Sequence, residues 1–86
     1  MKFVTTVDED GNEELFQFPR SIDHDAMAEV LGRIKDQTHG NWKRVRRVPI
    51  AAGFVDSSGC YGKSETLHLK ARPEDSKLLA KQACAA

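Results

Sequence analysis

The 86 residues include 13 Lys and Arg against 13 Asp and Glu, a formal charge of zero, and 40% of the chain is hydrophobic. A chain of this length makes one small domain, residues 1–86, and buries only about 60–65% of its unfolded surface. It leaves little room for a deep enclosed active site, which disfavours most small-molecule enzymes.

The first element runs from Lys2 to Val7, β-branched and aromatic, with Phe3, Thr5 and Val7 on one face. Leu15 to Phe18 is a second short run, and the Asp10-Gly11-Asn12 loop between them supplies an Asp-Gly step suited to positive φ. A hairpin ending at Pro19 follows. Ile22-Asp23-His24-Asp25-Ala26-Met27 reads as a helix start, with Asp23 as cap and Ile22 and Met27 as a hydrophobic staple. Met27, Val30, Leu31 and Ile34 recur at helical spacing, predicting a helix from 24 to about 37 that stops at Gly40.

Val45 to Val55 is β-like again, and Pro49, lacking an amide proton, demands an edge, a bulge or a break. Asp56-Ser57-Ser58-Gly59 is a turn, after which Cys60-Tyr61 and Thr66-Leu67-His68-Leu69 pair back. Arg72-Pro73-Glu74-Asp75 opens a second helix docked by Leu78, Leu79 and Ala83. The order strand-strand-helix-strand-strand-helix predicts an α+β domain, an antiparallel sheet with both helices packed on one face.

Two cysteines, Cys60 and Cys84, are too few for a disulfide framework, so a reduced, cytoplasmic protein is expected. The N-terminus shows no leader pattern, and no apolar run approaches the roughly 20 residues of a membrane helix. Residues 1–40 hold four basic and nine acidic side chains and residues 41–86 nine basic and four acidic ones, so the halves carry −5 and +5. Those charges either intermingle on one folded surface or make it bipolar.

Several stretches mimic chemical motifs. Ser57-Ser58-Gly59-Cys60-Tyr61-Gly62-Lys63-Ser64 misses a phosphate-binding loop because Ser57 replaces its first glycine, and Glu65-Thr66-Leu67-His68-Leu69 reads as strand where that loop needs a helix. Asp8, Asp10, Asn12 and Glu14 begin like a calcium loop, but Glu13 and Pro19 stand where a glycine and a bidentate glutamate belong. His24, His39 and His68 are scattered and have no metal-ligand spacing, so no metal or cofactor is expected. Cys60 and His68 could form a thiolate pair only if folding brought them together.

The remaining signal is Trp42-Lys43-Arg44-Val45-Arg46-Arg47. Arginine forks match carboxylates and phosphates, and an indole can anchor a protein interface or stack on a base. The alternative is a solvated strand with Trp42 and Val45 in the core and its cations facing the acids of the first half.

Ala51-Ala52-Gly53-Phe54-Val55, Gly59-Cys60-Tyr61-Gly62-Lys63-Ser64-Glu65-Thr66-Leu67 and Arg72-Pro73-Glu74-Asp75 resemble short uncharacterised bacterial proteins, many from phages and prophages. The resemblance implies a mobile-element origin, in which small accessory proteins act by binding partners; it implies no residue role. The expectation is a non-enzymatic module that makes protein contacts, with itself as a homodimer or with another chain, through Trp42, Lys43, Arg44, Arg46 and Arg47. Nucleic-acid binding by the same segment is the alternative. No small-molecule substrate is expected.

Overall fold

Strand-forming residues at the N-terminus build the centre of the molecule. The computed structural model describes residues 1–32, 35–38, 41–44 and 46–84. Its elements are β1 (Lys2–Val7), β2 (Glu13–Phe18), α1 (His24–Leu31), β3 (Lys35–Thr38), β4 (Asn41–Arg44), β5 (Val48–Asp56), β6 (Gly59–Tyr61), β7 (Lys63–Ser64), β8 (Leu69–Lys70) and α2 (Pro73–Cys84). The domain is α+β: four strands in the order β2-β1-β5-β6 form an antiparallel sheet, accompanied by two helices. Two further pairs, β3–β4 and β7–β8, stand as separate two-stranded sheets and extend the expected element order.

β1 lies inside the sheet, and its Phe3, Val4, Thr5 and Thr6 are all buried. Successive side chains of a strand point to opposite faces, so burial of four in a row means that both faces are covered. One face carries Phe3, Leu15, Ala51 and Val55, packed with Leu78 and Leu79 of α2 and with Cys60. The other carries Val4, Phe18 and Ala52, packed with Leu31 and Met27 of α1 and with Leu67 and Leu69. The helices therefore sit on opposite faces, a correction to the one-face expectation. Alternation predicts only that Phe3, Thr5 and Val7 share one face of β1, and leaves open whether the other face is covered.

The hairpin turn forms as expected, with Gly11 at φ 84° and the Asp8 and Asn12 backbones hydrogen-bonded at 3.0 Å. In β5 the register slips between Thr5, opposite Ala51, and Thr6, opposite Pro49, leaving Ile50 as the extra residue of a bulge. A bulge interrupts the ladder where a proline cannot donate, which lets Pro49 lie in an interior strand. Ser57 and Ser58 form the turn into β6, with Gly59 at φ 121°.

The first helix is shorter than predicted. It ends at Leu31 with Gly32 as its C-cap, and Lys35–Thr38 is strand β3. Pairing with β4 satisfies the backbone there, and Gly32 is a poor residue to carry a helix through. Of the four predicted core positions, Leu31 is buried and Met27 half-buried, Val30 is 53% exposed, and Ile34 lies outside the described residues, as do His39 and Gly40. Asp23 makes no side-chain cap bond, and Ile22 stays exposed. Residues Glu65–His68 form a turn, with His68 at φ 55°, so of the predicted strand over 66–69 only Leu69 pairs back, in a short strand that continues to Lys70. In α2, Leu78 and Leu79 dock as expected while Ala83 is exposed. No helix among the described residues is long and apolar enough to cross a membrane.

Candidate functional site

The basic segment begins in β4, where Trp42 pairs with Gln37, Lys43 with Asp36 and Arg44 with Lys35. The side chains of Trp42, Lys43 and Arg44, and all of Val45, lie outside the described residues. Arg46 is exposed. Arg47 is half-buried, its guanidinium 5.8 Å from the centroid of the Phe16 ring, a cation–π contact that ties the end of the segment to β2. Its charge is also felt at Asp8. That carboxyl lies below its usual pKa chiefly because the Asn12 backbone N–H donates to it, with a smaller contribution from Arg47. The segment thus divides: Arg47 is bound into the domain, Arg46 faces outward, and residues 42–44 belong to a ribbon separate from the main sheet.

The motif mimics resolve into local structure. Asp8 Oδ1 accepts from the Asp10 and Asn12 amides at 3.0 and 2.9 Å, so the calcium-like run is a self-bonded turn. Among the described residues, no three His, Cys, Asp or Glu side chains are grouped to hold a metal. After Gly62, at φ 77°, Lys63 and Ser64 enter β7 rather than a helix. The buried Ser64 hydroxyl accepts from the Leu67 amide at 3.2 Å, which closes the turn. Helix amides of the kind that cradle phosphates are therefore absent from this motif.

Cys60 packs into the cluster under α2, and its amide donates to the Ser76 hydroxyl at 3.0 Å. Burial first, and then the charge of Asp75, push the thiol pKa up, the opposite of what a nucleophilic cysteine needs. His68 is exposed and lines a cavity with Ile50, Lys63 and Leu69.

Two polar centres escaped the sequence reading. Asp75 is fully buried and accepts from the Thr5 hydroxyl at 2.8 Å, the Arg72 amide at 2.7 Å and the Arg72 guanidinium at 2.9 Å. Arg72 also reaches Glu13 at 2.7 Å, joining β1, β2 and the start of α2; Asp75, and after it Glu13, hold the guanidinium above its ordinary pKa. The acceptance of the Arg72 amide by Asp75 is half of a capping box, a signal present in the Arg-Pro-Glu-Asp spacing. The second centre is His24, buried at the start of α1, with Nε2 2.8 Å from the Gly53 carbonyl and its ring edge-on to Phe18 and Phe54. Gly53 is required by close approach, because a Cβ there would collide with the Tyr61 carbonyl. Both centres hold the fold together.

No protein-family model matches the chain, and neither a curated protein nor a solved structure shows significant similarity to it.

Proposed function

We propose that the protein is a small, cytoplasmic, non-enzymatic interaction module of phage or mobile-element origin, which binds a protein partner through β4 and the residues that follow it. The observation that supports this reading is the separation of the β3–β4 ribbon from the four-stranded sheet. Residues 41–47 carry four cations and Trp42 and no acid, and Arg46 is exposed. A cationic strand with one indole suits an acidic protein surface, where the ring supplies the anchor and the charges set orientation. Self-association is one form of such contact and would cover Val30 and Val48, which are 53% and 52% exposed.

One observation favours nucleic acid as a second reading. A two-stranded ribbon is an element that the major groove of duplex DNA admits, and Lys35, Lys43 and Arg44 all belong to this one. Reversing Arg46 to Glu weakens binding under either reading, and salt separates them. Neutralising three or four phosphates gives a log affinity that falls with log salt at a slope of about −3 on duplex DNA. A protein complex anchored by Trp42 responds much less to salt and loses about 2 kcal/mol or more on Trp42→Ala. If neither Trp42→Ala nor Arg46→Glu alters any partner binding, the segment is a solvated strand and the proposal fails.

A further inference from the structure

β7 and β8 together contain four residues, and their register sets Lys63 directly opposite Lys70. Cα atoms so paired lie about 4.5–5.5 Å apart with side chains on the same face, where like charges destabilise the pairing. Both lysines are exposed, and among the described residues no carboxylate lies within ion-pair distance of either ammonium. Both line one open cavity of about 690 Å³, together with Arg72 and His68. Among the described residues, its apolar lining comes from Ile50 and Leu69, and Glu65 is the single acid. A volume of this size falls within the range of small-molecule sites, about 300–1,000 Å³.

We propose that this cavity binds a phosphorylated small molecule, with Lys63 and Lys70 flanking the phosphate and Ile50 and Leu69 against the non-polar part of the ligand. Two ammonium groups without an ion-pair partner among the described residues, set side by side against the one lining acid Glu65, favour a group with more than one negative charge over a single carboxylate. Two lysines act as point charges and suit a phosphate in any orientation. Arg72 contributes no free charge, because its guanidinium is already matched by Asp75 and Glu13, so Lys63 and Lys70 supply the attraction. Recognition here comes from side-chain ammonium groups, so it needs none of the helix-amide geometry that the Gly62-Lys63-Ser64 sequence lacks. A bound polyanion would also relieve the repulsion across the β7–β8 pair. The site is independent of the β3–β4 ribbon, and the proposal is one of binding, with no reaction assigned.

Amide chemical shifts of the intact chain, titrated with ATP and separately with tripolyphosphate, test the inference. Saturable shifts should concentrate at residues 63–72 and Ile50, with ATP the tighter ligand because only it has an aromatic base whose face can pack on Ile50 and Leu69. The Lys63→Gln/Lys70→Gln double variant, at exposed positions that preserve the dispersed spectrum, should weaken ATP binding about tenfold or more. Lys70→Glu should abolish binding while raising the melting temperature at low salt, a gain that shrinks as salt is added. Unsaturable shifts, shifts centred on residues 41–47, or unchanged affinity in the double variant would overturn the proposal. So would tighter binding of a single-stranded oligonucleotide than of ATP through the same lysines, which would assign the cavity to nucleic acid.

Discussion

Helix α1 meets the sheet with Leu31, Met27 and the ring of His24, whereas α2 adds directional bonds along its length to the packing of Leu78 and Leu79. Asp75 holds Thr5 at its start, Ser76 accepts from the Cys60 amide, and the Gln82 side chain grips Leu15 near its end. The Gln82 contact is double, with the Leu15 amide donating at 2.7 Å and the Gln82 amide donating back to the Leu15 carbonyl at 2.9 Å. Since β1 is the only neighbour of β2 in the sheet among the described residues, those backbone groups lie on its outer edge, and Gln82 completes them as another strand would. Apolar contact stabilises in proportion to area but tolerates sliding, while hydrogen bonds are directional and fix a helix at one position. Helix α1 is thus seated chiefly by the burial of Leu31, Met27 and the His24 ring, and α2 is located by polar bonds from its first turn and its last.

The largest break of this contrast is on the α1 side. Leu31 is the helix's one fully buried aliphatic residue, so Leu31→Ala should cost about 2–5 kcal/mol in denaturant unfolding, a large share of the stability of so small a domain. A loss below half a kcal/mol would mean that α1 is not held by burial. On the α2 side, Asp75→Ala removes three hydrogen bonds and leaves the buried Thr5 hydroxyl unpaired, and should cost about 2–3 kcal/mol. The Asp75→Ala/Thr5→Val double variant should recover part of that loss, because it removes both ends of the bond; no recovery would show that Thr5 is not the group left wanting.

Smaller effects sharpen the comparison. Gln82→Ala should cost about 1 kcal/mol, since water can replace the side chain at an edge, and should speed exchange of the Leu15 amide more than that of its neighbours in β2. Uniform exchange along β2 would contradict an edge-capping role. The smallest effect belongs to Asp23. A capping aspartate typically contributes about 0.5–2 kcal/mol, but this one makes no side-chain cap bond and only approaches Lys2 at 3.9 Å, so Asp23→Ala should cost less than about 0.5 kcal/mol. A loss above 1 kcal/mol would restore the cap that the sequence suggests.

Local chemistry made much of this molecule readable in advance. The Asp-Gly turn at Gly11, the Ser57-Ser58 turn and the proline-acid start of α2 each follow from what a few neighbouring residues permit in φ, ψ or donor count, and Pro49 required an edge, a bulge or a break, of which the structure has the bulge. The α+β class and the antiparallel sheet follow from those elements in sequence. Of the basic segment, the sequence supplied its charge and Trp42 but not its division into a ribbon strand, an outward Arg46 and an Arg47 laid over Phe16. The cavity between Lys63 and Lys70 was invisible because strand register, not spacing, sets those residues opposite each other.

What tertiary structure alone decided has a common cause. Alternation along Phe3-Val4-Thr5-Thr6 cannot reveal that both faces are covered, because threonine is compatible with water and with burial alike; the buried hydroxyl of Thr5 is satisfied by Asp75, which arrives from 70 residues away to accept its hydrogen bond. Helical spacing over 24–37 could not anticipate that Lys35–Thr38 would find a partner strand in Asn41–Arg44, a competition that backbone pairing won beyond Gly32. Residue types and their neighbours therefore determined the turns, caps and strand-forming runs. Which faces those elements covered, and which charges they left side by side, depended on contacts between residues far apart in the chain.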